Sequence, residues 1–128
     1  MRVLIDTHVL IWYIEGNPKL SPKAREFIDS TQDQVFLSSA SLWEMAIKLN
    51  VNKLQLSRSF DELEALLVRM SVRVLPISFA DLQEYVKLPL HHRDPFDRMI
   101  IAQAIAHSYP LISADHAFSA YPIQQLWD

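Results

Sequence analysis

The sequence predicts an α/β fold of three layers, with helices on both faces of a mostly parallel sheet of about five strands. Three observations predict it. Short apolar runs of strand composition alternate with longer segments of helical spacing. Several of the helical segments open on a cap or a cap followed by proline, so the links between strands are helical crossovers, which require parallel strands. The chain has 128 residues, 50% hydrophobic and 21% charged, which is enough to bury one core and is read as a single domain over residues 1–128.

The elements follow in order. Arg2-Val-Leu-Ile-Asp6 is an apolar run ending in an acid and suits a buried strand. Thr7 to Glu15 has helical character and is stopped by Gly16-Asn17-Pro18. Ser21-Pro22 is a cap followed by proline and starts a second helix that runs through Ser30. Gln34 to Ser38 has strand composition, and Ser41-Leu-Trp-Glu44 matches a capping box opening a helix to about Leu49. Phe60, Leu63, Leu67 and Met70 keep helical spacing, and Val72 to Ile77 is a third strand. Ser78 to Asp81 is a second capping sequence, before a helix ending near Leu88-Pro89. Asp94-Pro95 starts a long apolar helix through about His107. Pro110 to Ser113 is a fourth strand, and Tyr121-Pro-Ile123 a short edge strand.

Composition removes several chemistries. There is one glycine, Gly16, so neither a dinucleotide-binding turn nor a phosphate-cradling P-loop can be built. Without cysteine there are no disulfides, thiolate zinc sites or thiol nucleophile. The longest early apolar run, Val9 to Ile14, is too short for a membrane span of about 20 residues, which points to a cytoplasmic protein without a membrane partner. The net charge of −3 argues against binding nucleic acid through bulk positive charge. That argument weakens if acids are concentrated in one site.

Ligands of open parallel sheets bind outside the carboxyl ends of the strands, where strand order reverses. Asp6 ends the first strand and Asp115 lies two residues beyond the fourth. Asp97 falls in the first turn of the helix opening at Asp94, and Glu44 in the first turn of the helix opening at Ser41. Each acid has an ordinary structural explanation. Asp6 and Asp115 suit caps or turns, Asp97 suits a helix dipole, and Glu44 suits a capping box or an i,i+4 pair with Lys48. The apolar arc of Leu42, Trp43, Met45, Ala46, Ile47 and Leu49 implies that this helix is mostly buried, with Glu44 and Lys48 on its narrow polar strip. Together the four acids point to a site, because converging carboxylates repel unless a cation sits among them. Ligands that are all oxygen favour Mg²⁺ or Mn²⁺, which can orient and activate water for in-line attack on phosphorus. With Asp6, Glu44, Asp97 and Asp115 set aside, 11 acids face 12 basic residues.

His91-His92 is a solvated loop more than a zinc pair, since neighbouring histidines do not readily share one ion. His8, two residues after Asp6, has the reach to enter the cleft from the first turn of the first helix, but an ordinary exposed or hydrogen-bonded histidine explains it better. Asp94 reads as a cap. Arg98 and Lys48 are candidates to steady phosphate oxygens, although pairing with nearby acids explains them equally well. Trp12, Tyr13, Phe60, Phe96 and Trp127 read as core or interface, not as a base-stacking platform.

Four stretches carry a family resemblance: Leu4-Ile-Asp-Thr-His8, Ser38 to Glu44, His92-Arg-Asp-Pro-Phe-Asp-Arg98 with Ile101 to Ala104, and Leu111 to Asp115. They resemble the PIN domain, and more narrowly the VapC-type toxins of bacterial toxin–antitoxin pairs, over about residues 1–127. The resemblance implies that Asp6, Glu44, Asp97 and Asp115 are the family's four acids. It implies a metal-dependent endoribonuclease using Mg²⁺ or Mn²⁺, an RNA substrate, a small cognate antitoxin and a homodimer. Two turns depart from the family pattern, at Asn52 and at His107-Ser-Tyr-Pro110, where glycine is usual. Two other classes compete. One is a metal-dependent phosphatase, whose chemistry wants a second acid where His8 stands; the other is a non-catalytic partner-binding module whose acids serve only as caps.

Overall fold

The computed structural model describes residues 1–91 and 93–128. The first strand shows how the sheet divides the core. In β1 (Arg2–Ile5), Val3 and Ile5 enter one apolar cluster, with Val9, Leu10, Ala24, Ile28, Met45 and Leu67, while Leu4 enters another, with Met99, Ile100, Ile101 and Phe118. That alternation is the period of two expected of a strand buried on both faces. The result is a three-layer α/β/α arrangement, as the sequence predicts.

The other elements are α1 (Thr7–Glu15), α2 (Pro22–Asp29), β2 (Gln34–Ser38), α3 (Ser39–Asn50), α4 (Leu63–Arg69), β3 (Val72–Leu75), α5 (Phe79–Lys87), α6 (Pro95–His107), β4 (Leu111–Ile112) and β5 (Gln125–Leu126). Short 3-10 helices cover Phe60–Glu62 and His116–Ala120. The five strands pair in the order β3-β2-β1-β4-β5, all parallel. Strand order reverses between β1 and β4, so the crevice outside their carboxyl ends is the switch point where such sheets bind ligands. The Asp6 amide donates to the Ile112 carbonyl at 3.0 Å and fixes Asp6 at that point.

Several caps are as predicted. Ser21 accepts from the Ala24 amide, Ser78 and Asp81 close a reciprocal capping box, and Asp94 accepts from the Phe96 and Asp97 amides at 2.8 and 3.2 Å. The third helix is where the boundary differs. It starts at Ser39, with Ser38 as its cap, so Ser41 and Glu44 are interior, buried positions and form no capping box. Trp43 also differs from the buried arc drawn on the helical wheel, being 63% exposed. The expected edge strand at Tyr121–Ile123 lies instead at Gln125–Leu126, after a 3-10 helix, and the third strand ends at Leu75 rather than Ile77.

Asn52 and Ser108 have φ of 59° and 56°, the left-handed conformation that glycine adopts most easily. The two family departures therefore fall on turns of glycine type, and both remain formed. Among the described residues, no helix is long and apolar enough to cross a membrane.

Candidate active site

Asp6 is the first residue beyond β1 and stands at the N-cap position of α1, yet its side chain makes no cap hydrogen bond. The capping explanation for this acid is thus not realised. Its Oδ2 instead accepts a hydrogen bond from the Ser113 hydroxyl at 2.9 Å, across the switch point from the end of β4. Its Oδ1 is buried and accepts none. Burial pushes the Asp6 carboxyl up, with Glu44 adding to the rise, while the Ser113 hydrogen bond and His8 act against it.

Glu44 reaches the same place from α3. The Thr7 hydroxyl donates to Glu44 Oε1 at 2.9 Å and shares a 2.8 Å hydrogen bond with Ser41 Oγ, while Lys48 Nζ lies 2.8 Å from Glu44 Oε2. The i,i+4 pair expected of Glu44 and Lys48 is formed, on a glutamate that is 3% exposed. Thr7→Val keeps the shape but leaves a buried carboxylate oxygen and a buried serine hydroxyl each short of a partner. It is expected to destabilise the protein by about 1–3 kcal/mol. Urea denaturation should show this as a lower midpoint with an unchanged slope; an unchanged midpoint would mean that the Thr7 hydroxyl holds nothing.

Asp97 lies in the first turn of α6, where Asp94 already provides the cap. Its carboxyl is pushed up to about 8, first by burial and then by the charges of Asp94, Asp6, Glu44 and Asp115, in that order. The four predicted acids, with Asp94 beside them, therefore share one electrostatic field. Lys48 stands in it too. Its ammonium is held above its ordinary range first by the bond to Glu44, with smaller help from Asp94 and Asp97.

Asp115 does cap a helix, since its Oδ1 accepts from the Ala117 amide at 2.9 Å and opens the 3-10 helix at His116. Ser113 Oγ accepts from the Asp115 amide at 3.0 Å, so one hydroxyl touches Asp6 and orients Asp115. The Gln125 amide donates to the Ser113 and Asp115 carbonyls at 2.9 and 2.8 Å and braces the turn. Sequence reasoning does not single out Thr7, Ser113 or Gln125, and it assigns Ser41 to a helix cap instead of to the support of the acids. The available signal was that Thr7 follows Asp6 and Ser113 precedes Asp115 by two residues, hydroxyls flanking acids at strand ends.

Arg98 is turned elsewhere. Its guanidinium donates to the Pro89 carbonyl at 3.0 Å and lies 5.0 Å over the Tyr85 ring, on the side of α5. His91 is exposed and packs edge-on against Tyr121, while His92 lies outside the described residues.

A hard divalent cation suits this donor set. The ligands on offer are carboxylate oxygens, one of them is buried without a hydrogen bond, and a proton or a cation is needed to relieve the crowding at Asp97. Among the described residues, no three His, Asp or Glu side chains yet close on a single point. The acids form a shared field and not a finished coordination shell.

The PIN domain family model matches residues 3–124. No curated protein matches the chain. Solved structures do. VapBC2 from Rickettsia felis, bound to a DNA fragment from their promoter, is 20% identical over 100% of both chains, with a TM-score of 0.73. FitAcB from Neisseria gonorrhoeae is 21% identical over 98% of this chain and 96% of its own, with a TM-score of 0.67. A toxin–antitoxin complex from Klebsiella pneumoniae is 20% identical over 94% and 92%, with a TM-score of 0.65. At these identities the structures share the fold.

Proposed function

The chain belongs to the PIN-domain family, whose members are nucleases, and from that premise we propose that it is a Mg²⁺- or Mn²⁺-dependent endoribonuclease and the toxin of a VapBC-type toxin–antitoxin pair. The observation that carries the reading is the site around Asp97. Its carboxyl is lifted first by burial and then by four neighbouring carboxylates, beside the one place in the sheet where strand order reverses. The competing module, in which the acids only cap helices, is poorly supported, because Asp6 and Glu44 cap nothing.

In this reading Asp6, Asp97 and Asp115 hold one or two divalent ions, and Glu44 completes the set. A bound divalent ion supplies positive charge against phosphate oxygens and lowers the pKa of water. The chain's own residues do the rest. Ser113 fixes Asp6 through Oδ2 and leaves Oδ1 buried without a hydrogen bond. The Thr7 hydroxyl, which also meets Ser41, bonds one Glu44 oxygen, and Lys48 pairs with the other and offsets its charge. With its carboxyl pushed up to about 8 by burial and the neighbouring charges, Asp97 favours its protonated form at neutral pH, and a divalent ion held there would favour the ionised form instead. Of the two candidate phosphate-side cations, Lys48 and Arg98, we propose Lys48 alone, since the Arg98 guanidinium is held at the Pro89 carbonyl over the Tyr85 ring. Lys48 is the better placed, because it already lies among the acids.

The partners belong to the same proposal: RNA as substrate, a small antitoxin, and a second copy of the chain, all in the cytoplasm. Solved relatives of the same fold include toxin–antitoxin complexes. A second copy is supported by apolar side chains that α5 leaves in solvent, Phe79 and Val86 being 76% and 83% exposed.

The test is cleavage of cellular RNA by the purified full chain, with the new ends sequenced. Cleavage should stop in excess EDTA and return on addition of Mg²⁺ or Mn²⁺. Undiminished cleavage in EDTA would defeat the metal-dependent reading. A chain that cuts no RNA with either ion would defeat the ribonuclease.

A further inference from the structure

Arg98 immediately follows Asp97 near the start of α6 and is buried, being 7% exposed. A buried cation needs partners, and a helix N-terminus does not favour one, because the macrodipole there attracts negative charge. The partners lie on and beyond the neighbouring helix. The guanidinium donates to the Pro89 carbonyl at 3.0 Å and to the Leu88 carbonyl at a longer 3.5 Å, and it lies 5.0 Å over the Tyr85 ring. Leu88 caps the C-terminus of α5, the end of a helix where positive charge is favoured. One side chain thus ties the end of α5 to the start of α6.

Polar ties matter between these two helices. Among the residues of α5, Asp81 alone is buried, and its Oδ2 accepts from the Gln103 amide of α6 at 3.1 Å. The apolar side chains of α5 are exposed or half-buried, so its place is set by contacts of this kind and not by a core of its own.

The Pro89 carbonyl has a second donor. The Tyr121 hydroxyl reaches it at 3.4 Å, and Tyr121 is 4% exposed. Tyr121 follows the 3-10 helix that Asp115 opens. The same carbonyl therefore joins the helix carrying Asp97 to the segment carrying Asp115. These are two of the acids read above as metal ligands. Among the described residues the acids do not yet close on one point, so the placing of Asp97 against Asp115 decides how well an ion is held. Groups behind the ligands commonly govern about 10–100-fold in metal affinity.

We propose that Arg98 is a positioning residue: by gripping the Pro89 carbonyl over the Tyr85 ring, it fixes Asp97 relative to Asp115 and sets how tightly the site holds a divalent ion. This rests on the metal-dependent reading above. Arg98 then acts through the ligands and not on the RNA.

The experiment compares the full-length wild type with Arg98→Met, Arg98→Lys and Tyr121→Phe, each first shown to melt cooperatively. Mn²⁺ affinity is measured by calorimetry without RNA, and kcat and KM for RNA are then measured separately. Arg98→Met should weaken Mn²⁺ binding roughly ten- to hundredfold and lower kcat at limiting Mn²⁺, with KM for RNA unchanged. Arg98→Lys, a point charge in place of a planar fork, should recover part of the affinity. Tyr121→Phe removes only the longer tie and should fall between wild type and Arg98→Met. Should Arg98→Met fail to fold, the other two variants carry the test, and each should still bind Mn²⁺ more weakly than wild type. Unchanged Mn²⁺ affinity in folded variants, whatever their melting temperatures, would make Arg98 an ordinary structural tie and overturn the inference. A raised KM with Mn²⁺ affinity and kcat intact would return Arg98 to the phosphate and overturn it as well. A wild type that binds no Mn²⁺ removes the metal-dependent reading and this one together. One that binds Mn²⁺ but cuts no RNA removes the ribonuclease alone, and the Mn²⁺ affinities still decide the role of Arg98.

Discussion

Asp6→Asn is expected to slow RNA cleavage about a thousandfold or more while the protein stays folded. Asn keeps the size of the side chain and an oxygen that accepts from the Ser113 hydroxyl, so the contact across the switch point survives. What is lost is one negative charge at a buried position. Charge stabilisation of a phosphoryl transition state is worth several kcal/mol, and each 1.36 kcal/mol is about tenfold in rate. The fold should tolerate the change, because burial pushes the Asp6 carboxyl up, which makes its charge a cost to the folded state that Asn does not carry. The check is a time course of cleavage in Mn²⁺ alongside a thermal melt. Cleavage within tenfold of wild type, by a variant with an undiminished melting temperature, would remove Asp6 from the machinery.

The strand-end positions of Asp6 and Asp115 are legible because an acid closing an apolar run is a local signal. An apolar run closed by an acid marks the end of a buried strand, and parallel strands present those ends on one edge, so the sequence alone pairs Asp6 with Asp115. Asp94 was legible as a cap for a related reason, since a cap followed by proline is a local signal. The supporting hydroxyls were not. Ser113 reaches Asp6 across 107 positions of sequence, and nothing local marks such a contact. The capping box drawn at Ser41 fits the sequence equally well, but Ser38 takes that role one turn earlier. This frees Glu44 to turn inward to Thr7. The last strand was misplaced because a two-residue strand has no period to read, and its position is set by pairing Gln125 with Leu111. Trp43 misled for a different reason. A helical wheel gives the direction of a side chain, but whether anything lies in that direction depends on how α3, α5 and α6 are placed.

Asp97→Asn should abolish cleavage and, in metal-free buffer, should raise the melting temperature. Activity and stability move in opposite directions because the cluster is arranged for a cation and not for its own comfort. The sign follows from linkage. The Asp97 carboxyl stands at about 8 in the fold, against 3.8 for its ordinary value, so the folded state binds its proton more tightly than the unfolded chain does. The stability this contributes is fully present below about pH 3.8 and is lost progressively as pH rises to about 8. Above that the wild type carries the whole repulsion, and Asn, which is never charged, carries none. Because Asp97 is only half-buried, solvent screens the effect to about 1–2 kcal/mol, or roughly 3–10 °C for a chain of this size. Calorimetry in EDTA should find the two proteins close at pH 4.5 and the variant ahead at pH 8. In millimolar Mn²⁺ the wild type should recover more than the variant, since binding to the native state stabilises only the protein that still has the ligand. A variant no more stable than wild type at pH 8 would mean that the acids do not crowd Asp97, and the case for a cation among them would lose its main support.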